Sequence, residues 1–506
     1  MKLSALLQAL GHYEIRGSAE IPIRGICYHS REAQPGFLFV AVPGLKTDGR
    51  KYVEEAVNKG ATAVIFEGEF FENLIARDIV PTQVRVLGAR LALANLAAAF
   101  FAHPTESFYL AGVTGTNGKT TLTFLIESIG QAAGLKTGVA GTINYRFGGV
   151  RLDAAQTTPE SLDLQRLFSR MRHEKITNVA MEVSSHALIF RRVENCHFNS
   201  CVFTNLSRDH LDFHGTMEEY YRSKQKLFIH DLRLSAKKNR LAIICTEGVH
   251  GRRLAEMSES LKIPTVKYGF KKSNDIFPVG YRQTLDGFEA ELKTARGPIH
   301  IRSNLPGRFN LLNVMAAVMV GLHSGCEIES IEKGIAALKG VPGRLERIDD
   351  PRGRFVFVDY AHTPSALKSV LTELKRLAPG GRIITVFGCG GDRDRGKRPK
   401  MGFESARLSD ICFVTSDNPR TEDPEKIIDE ILPGVKRGGL KSFVKKKGYL
   451  VEVDRSKAIA LALQLAKKGD VVLVAGKGHE DYQIIGTKKI HFSDHEVVRK
   501  FLGNAK

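Results

Sequence analysis

No stretch of this 506-residue chain stays apolar for the roughly 20 residues that a membrane-spanning helix needs, so membrane insertion is not expected. The first eleven residues also lack a basic start followed by a cleavable apolar run, and no secretory leader is expected there. Cysteines number seven, an odd count, and they are scattered without a CxxC pair. That usage gives no sign of a disulfide framework and points to reduced thiols in a cytoplasm. Internal repeats, low-complexity tracts and heptads are missing too, which removes solenoids and coiled coils from consideration.

Acidic residues are scarce against basic ones. The chain has 55 Asp+Glu and 74 Lys+Arg, for a formal net charge of +19. Such a balance invites a nucleic-acid partner. However, the basic residues are dispersed, with their densest clusters at residues 391–400 and 436–447, and no nucleic-acid-binding module accompanies them. Anionic small substrates fit the charge as well, and no nucleic-acid partner is expected. Hydrophobic content of 43% and charged content of 25% are those of a globular protein, and the length predicts about three domains.

Residues 108–111 form an apolar run that reads as a strand, and residues 122–129 read as a helix. Between them lies TGTNGKT (114–120). In a strand-to-helix turn, backbone N–H groups of Gly115, Thr116, Asn117 and Gly118 and the positive end of the helix can hold phosphate oxygens. Lys119 can reach the outer phosphates, the Thr120 hydroxyl can ligate Mg²⁺, and Thr121 extends the turn. Val113 stands where a strict GxxxxGK[ST] pattern has glycine, so this is a variant loop. It predicts binding, and hydrolytic or transfer use, of a nucleoside triphosphate.

The preceding residues, 1–107, begin with a short helix and then mix strands with Gly/Pro turns; residues 53–59 and 89–102 read as helices. From 108 to 340, apolar runs at 178–183, 200–204 and 241–245 recur with helices between them, and residues 311–323 read as a helix. This predicts an α/β unit with a mostly parallel sheet. A second α/β unit is predicted over 341–506, with strands at 355–358, 383–387, 411–415 and 471–474. Each runs straight into a polar or glycine-rich piece: DYAH (359–362), GCGGDR (388–393), SDNPR (416–420) and AGKGHE (475–480). Ligands of open parallel sheets bind beyond the carboxyl ends of strands, so these four pieces predict a binding site.

Taken with MEVSSH (181–186) and TNLSRDH (204–210), the phosphate loop and DNPR (417–420) resemble the Mur ligases, and the set runs in family order from about Tyr28 to Glu496. The resemblance implies a three-domain architecture with a central phosphate-loop ATPase-like sheet and a C-terminal Rossmann-like domain. It implies that 1–107 binds UDP-MurNAc, 108–340 binds ATP and 341–506 binds the incoming amino acid. The implied reaction is ATP-dependent amide formation in bacterial cytoplasmic peptidoglycan-precursor synthesis. The D-Glu carboxylate of UDP-MurNAc-L-Ala-D-Glu is phosphorylated, and an amine then displaces phosphate. A monomer is expected.

By the same resemblance, Lys119, Glu182, His210 and Lys224 are the catalytic set, with Thr120, Glu182, His210 and Lys224 around Mg²⁺. Lys224 matches the lysine that the family carbamylates with CO₂; read from the residues alone, it could also be a helix-surface lysine. Asn310, Arg344 and Asp359 line the ATP side, although Asn310 could equally be a helix N-cap. Tyr28, Ser30, Leu45, Lys46, Thr47, Gln156, Thr157, Thr158, Ser184 and Arg192 match positions for UDP-MurNAc-dipeptide, and a Thr pair could otherwise cap a helix. Departures are His29 where Asp is familiar, Gln156 for asparagine, and Phe190 for a glutamine, which removes one polar contact.

Arg393, Asp417, Asn418, Pro419, Arg420, Gly476 and Glu480 match the amino-acid pocket. DNPR is the form linked to meso-diaminopimelate, whose distal end carries an amine and a carboxylate. A guanidinium clamps a carboxylate through two parallel hydrogen bonds, so Arg420 would discriminate against L-lysine, which lacks that group. Alternatives left open are a lysine-adding ligase, a folylpolyglutamate synthase and a phosphate-loop ATPase acting on nucleic acid.

Overall fold

The strand expected at 108–111 occupies Tyr109–Thr114, and those expected at 178–183, 200–204 and 241–245 fall beside it. The computed structural model describes residues 1–44, 47–72, 74, 80–444 and 447–503. Six strands of the central sheet run parallel in the order Thr265–Tyr268, Leu241–Cys245, Ser200–Phe203, Tyr109–Thr114, Asn178–Glu182 and Thr137–Ala140. Asn144–Phe147 and Val150–Asp153 complete it as an antiparallel edge. Its inner strands are buried along their whole length, because helices cover both faces. Helices Lys119–Ala132, Arg308–His323 and Ile328–Ala337 share a core with one face, and Ser161–His173 packs on the other.

The N-terminal lobe is a five-stranded sheet: four parallel strands, with Tyr13–Arg16 antiparallel at one edge. In the C-terminal lobe the four expected runs become Phe355–Asp359, Val471–Ala475, Ile383–Phe387 and Ile411–Val414, adjacent in that order and parallel. Gly448–Val451 extends the sheet on one side, and Glu346–Ile348 closes the other antiparallel. The chain is thus α/β with mostly parallel sheets. No helix among the described residues is long and apolar enough to cross a membrane, and all seven cysteines are buried and unpaired.

Two boundaries differ from expectation in ways that matter for the site. The helix after the phosphate loop starts at Lys119, not 122, because Gly118 turns through a positive φ of 91° and releases Lys119, Thr120 and Thr121 into the first turn. The helix expected at 311–323 starts at Arg308, with Gly307 at its N-cap position. Asn310 therefore lies inside the first turn rather than capping it. A third difference is an antiparallel three-stranded sheet, Phe277–Thr284, Gly287–Thr294 and Gly297–Ser303, inside the unit expected to be parallel. Its alternating buried face joins the central core.

Beneath the C-terminal sheet, Arg455 and Asp494 form an ion pair at 2.7 Å with both side chains fully buried. The Arg455 guanidinium also donates to the Ala475 carbonyl at 2.9 Å, tying helix Asp494–Leu502 to the end of a site-bearing strand. Breaking a buried pair strands a charge, so Asp494→Ala is expected to lower unfolding free energy by about 3–5 kcal/mol in urea titrations. Arg455→Met combined with Asp494→Leu should recover most of that loss. Equal losses in the single and double variants would show that packing, not charge, dominates there.

Candidate active site

The phosphate loop is locked against the neighbouring strand end. A side chain at Gly115, where φ is 147°, would place a Cβ 1.9 Å from Thr204 Oγ1, so only glycine fits. Asn205 accepts from the Thr116 amide with its backbone carbonyl and from the Asn117 amide with its side chain. Lys119 Nζ donates to the carbonyls of Gly115 and Thr116 at 2.9 and 2.8 Å. Burial, more than its charged neighbours, pulls the Lys119 pKa below the usual lysine range.

Oxygen donors gather at the start of the helix. Thr120 Oγ1 donates to Glu182 at 3.1 Å, and Glu182 also accepts from the Thr142 amide at 2.8 Å and the Thr142 hydroxyl at 3.0 Å. Glu182 is only 1% exposed, and a hydroxyl beside a buried carboxylate is a hard-oxygen set of the kind Mg²⁺ prefers. His210 lines the same cleft with a left-handed backbone, its Nε2 3.5 Å from Asp209. Burial lowers the His210 pKa, and burial plus the His210 charge lowers that of neighbouring His186 to about 4.

Lys224 is 1% exposed, whereas Lys226 on the same helix faces solvent. The helix-surface alternative for Lys224 is therefore overturned: its Nζ donates to the Gly115 carbonyl at 2.9 Å, behind the phosphate loop. Desolvation, then the nearby Lys119 ammonium, drives its pKa well below the usual value. Two lysines thus share one carbonyl.

The C-terminal lobe reaches into this cleft. Arg344 Nη2 donates to Thr120 Oγ1 at 3.2 Å, and its guanidinium lies 4.7 Å over the Tyr360 ring. Asp359 accepts from the Leu345 and Ala361 amides at 2.6 and 2.7 Å, fixing the turn that carries Arg344. Burial raises the Asp359 pKa to about 6, against the opposing pull of Arg344. Asn310 donates to the Pro306 carbonyl at 2.8 Å and accepts from Asn313, which steers its side chain to the cleft wall. The cleft has a volume of about 540 Å³.

The expected amino-acid residues form a second cluster at the ends of the C-terminal strands. Asn418 Nδ2 and Lys477 Nζ each donate to Glu480 Oε2 at 3.0 Å. Arg420 Nη1 donates to the Gly391 carbonyl at 2.7 Å. Gly476 leaves room for Asp417, whose Oδ2 would sit 2.6 Å from a Cβ there. The Pro419 carbonyl accepts from the Glu422 amide, closing the turn, while Arg393 is exposed and donates to its neighbour's carbonyl. Lys477, fully buried, and Thr142 were not singled out from the sequence. Lys477 lies within a quoted motif and was legible as a partner for Glu480; Thr142 carries no motif.

Residues expected for UDP-MurNAc-dipeptide divide into two groups. Tyr28 donates to Asp163 at 2.5 Å and Ser30 to Glu55 at 2.7 Å, inside or beside the N-terminal lobe, and the Thr47 hydroxyl lies 3.3 Å from that of Tyr52. Leu45 and Lys46 lie outside the described residues. Near the phosphate loop, Thr157 Oγ1 is 3.1 Å from Thr142 Oγ1, and Thr158 donates to the Glu182 carbonyl at 2.8 Å. Thr158 does not cap the next helix; Glu160 does. Ser184 caps the short helix Ser185–Ile189, Arg192 donates to the Thr158 carbonyl at 3.1 Å, and the Gln156 carbonyl accepts from Tyr145 at 2.5 Å.

Fold and cleft together define a phosphate-loop nucleotide-binding protein whose third lobe contributes an arginine to the same site. Family profiles agree: the Mur ligase family catalytic domain matches residues 22–101, the Mur ligase middle domain 113–321, and the Mur ligase glutamate ligase domain 343–478. The chain is 46% identical to UDP-N-acetylmuramoyl-L-alanyl-D-glutamate–2,6-diaminopimelate ligase of Geobacter metallireducens, over 98% of both chains. It is 41% identical to the protein of that name from Caldanaerobacter subterraneus, over the full length of both. A solved structure of a ligase of the same name superposes with a TM-score of 0.70 at 30% identity, covering 99% of each chain. The chain belongs to the Mur ligase family.

Proposed function

We propose that the chain joins meso-diaminopimelate to UDP-MurNAc-L-Ala-D-Glu at the expense of ATP, in bacterial cytoplasmic peptidoglycan-precursor synthesis. The observation that carries this reading is the Thr120 hydroxyl between Glu182 and Arg344, which joins the phosphate loop, a central strand end and the third lobe at one point. A phosphoryl group and a carboxylate, both anionic, need such cationic and dipolar surroundings to meet. The carboxylate oxygen of D-Glu attacks the γ-phosphorus and ADP leaves. The diaminopimelate nitrogen then attacks the acyl carbon, and phosphate and a proton are released.

In this reading residues 1–107 hold the UDP end, 108–340 bind ATP and 341–506 hold diaminopimelate, and the protein acts as a monomer. Gly115 to Thr121, with Asn310, Arg344 and Asp359, bind ATP. Tyr28, Ser30, Thr47, Gln156, Thr157, Thr158, Ser184 and Arg192 bind the nucleotide-sugar dipeptide. Asp417 to Arg420, with Arg393, Gly476 and Glu480, bind the amino acid. Thr120, Glu182, His210 and a carbamate on Lys224 would hold Mg²⁺, which when bound neutralises charge on the phosphoryl oxygens. Lys119 and Arg344 hold the phosphates from opposite lobes and exclude water between them.

Phosphate release with ATP, Mg²⁺ and UDP-MurNAc-L-Ala-D-Glu tests the proposal directly. Release with meso-diaminopimelate and little with L-lysine is the expected result. A lysine preference would overturn the substrate assignment, and silence with both would overturn the reaction.

A further inference from the structure

The glutamine expected at position 190 is a phenylalanine, and the structure gives its ring a use. Arg90, on helix Ala89–Phe100 of the N-terminal lobe, places its guanidinium 4.5 Å over the Phe190 ring. The same guanidinium donates to the Pro43 carbonyl at 2.7 Å and pairs with Glu160 at 3.3 Å. Arg192, from the central lobe, meets the same Glu160 oxygen at 3.4 Å and lies 5.6 Å from the same ring. Phe213 packs edge-on against the ring, with centroids 5.6 Å apart.

This cluster lies between the two groups of substrate residues. Pro43 bridges to Asp48, the neighbour of Thr47, which the reading above places at the UDP end. Arg192 and Thr158 belong to the other group of substrate residues, near the phosphate loop. Two guanidinium groups, one from each lobe, thus meet on a single carboxylate oxygen at the lobe junction.

We propose that Arg90, braced on Phe190, is a positioning residue that sets the distance and orientation between Pro43, beside the UDP-end residues, and Arg192, so that both ends of UDP-MurNAc-L-Ala-D-Glu engage together. The inference rests on the substrate assignment above. Its chemistry is that of tethering: holding two half-sites at the right span multiplies affinity for a ligand that bridges them and adds little for a ligand that fills one.

The experiment compares two probes, UDP and UDP-MurNAc-L-Ala-D-Glu, by calorimetry on the full chain. Arg90→Ala is expected to weaken the bridging substrate about 30-fold and UDP at most about threefold. The KM for ATP should stay within about twofold of wild type. Arg90→Lys should not rescue, since an ammonium lacks the flat face and the paired donors. Equal weakening of both probes, or of neither, overturns the proposal. If Arg90→Ala fails to fold, Phe190→Leu carries the test, with the same split expected at about fivefold against no change. A wild-type chain that binds neither probe overturns the substrate assignment instead, which separates the two failures.

Discussion

Replacing Lys224 by alanine is expected to lower turnover on the order of a thousandfold, because the variant loses a charged group at the phosphoryl-transfer centre. The geometry makes Lys224 an uncomfortable ammonium. It is buried, it donates to a backbone carbonyl rather than a carboxylate, and Lys119 reaches that same carbonyl. An uncompensated buried charge is costly, and a second cation makes it more so. Both effects favour the uncharged amine, the form whose nitrogen adds to CO₂ with loss of a proton. The resulting carbamate reverses the local charge and supplies an oxygen of the type that the Thr120 and Glu182 pair begins to assemble. Short carboxylates such as acetate or formate should restore part of the lost rate. Near-normal turnover in Lys224→Ala would sink the carbamate proposal.

Legibility of the site followed the motifs. The loop 114–120, Glu182 and the strand-end pieces of the third lobe are short strings whose chemistry is local, and in the structure Thr120 bonds both Glu182 and Arg344. The antiparallel sheet from Phe277 to Ser303 was also readable, since Gly287–Thr294 alternates buried and exposed residues with period two. It was missed because the surrounding α/β rhythm set the expectation. The capping alternative for Asn310 fails for a different reason: Gly307 takes the cap position, and Asn310 bonds back to Pro306. Long-range placement was not legible at all. Nothing near Arg90 in the chain announces Phe190, and nothing near Lys224 announces Gly115. Such contacts depend on how whole lobes pack, which local patterns do not encode.

Arg420→Ala is expected to raise the KM for diaminopimelate about a hundredfold, with the KM for ATP within about threefold, as removal of one partner from a hydrogen-bonded charge pair does. Arg420 holds a left-handed backbone, φ 52°, which costs a non-glycine residue about 1 kcal/mol. Its amide donates to Ile484 at 3.0 Å and its carbonyl accepts from Gly486 at 2.7 Å, so the strained turn is clamped from both sides. The side chain then crosses bare glycines: a Cβ at Gly390 would fall 2.9 Å from its Nη1. Having bonded the Gly391 carbonyl, the guanidinium keeps further N–H donors for a carboxylate. Nearby Glu480, aligned by Asn418 and the buried Lys477, suits the accompanying ammonium. L-Lysine would meet Glu480 but leave Arg420 without its anion. Its weaker turnover should therefore change little in Arg420→Ala, while that of diaminopimelate falls toward it. Lysine at position 420 should not restore selectivity, since a point charge cannot reproduce the paired geometry. If both amino acids lost activity equally, Arg420 would be a support for the turn at 417–420 and not the group that tells one substrate from the other.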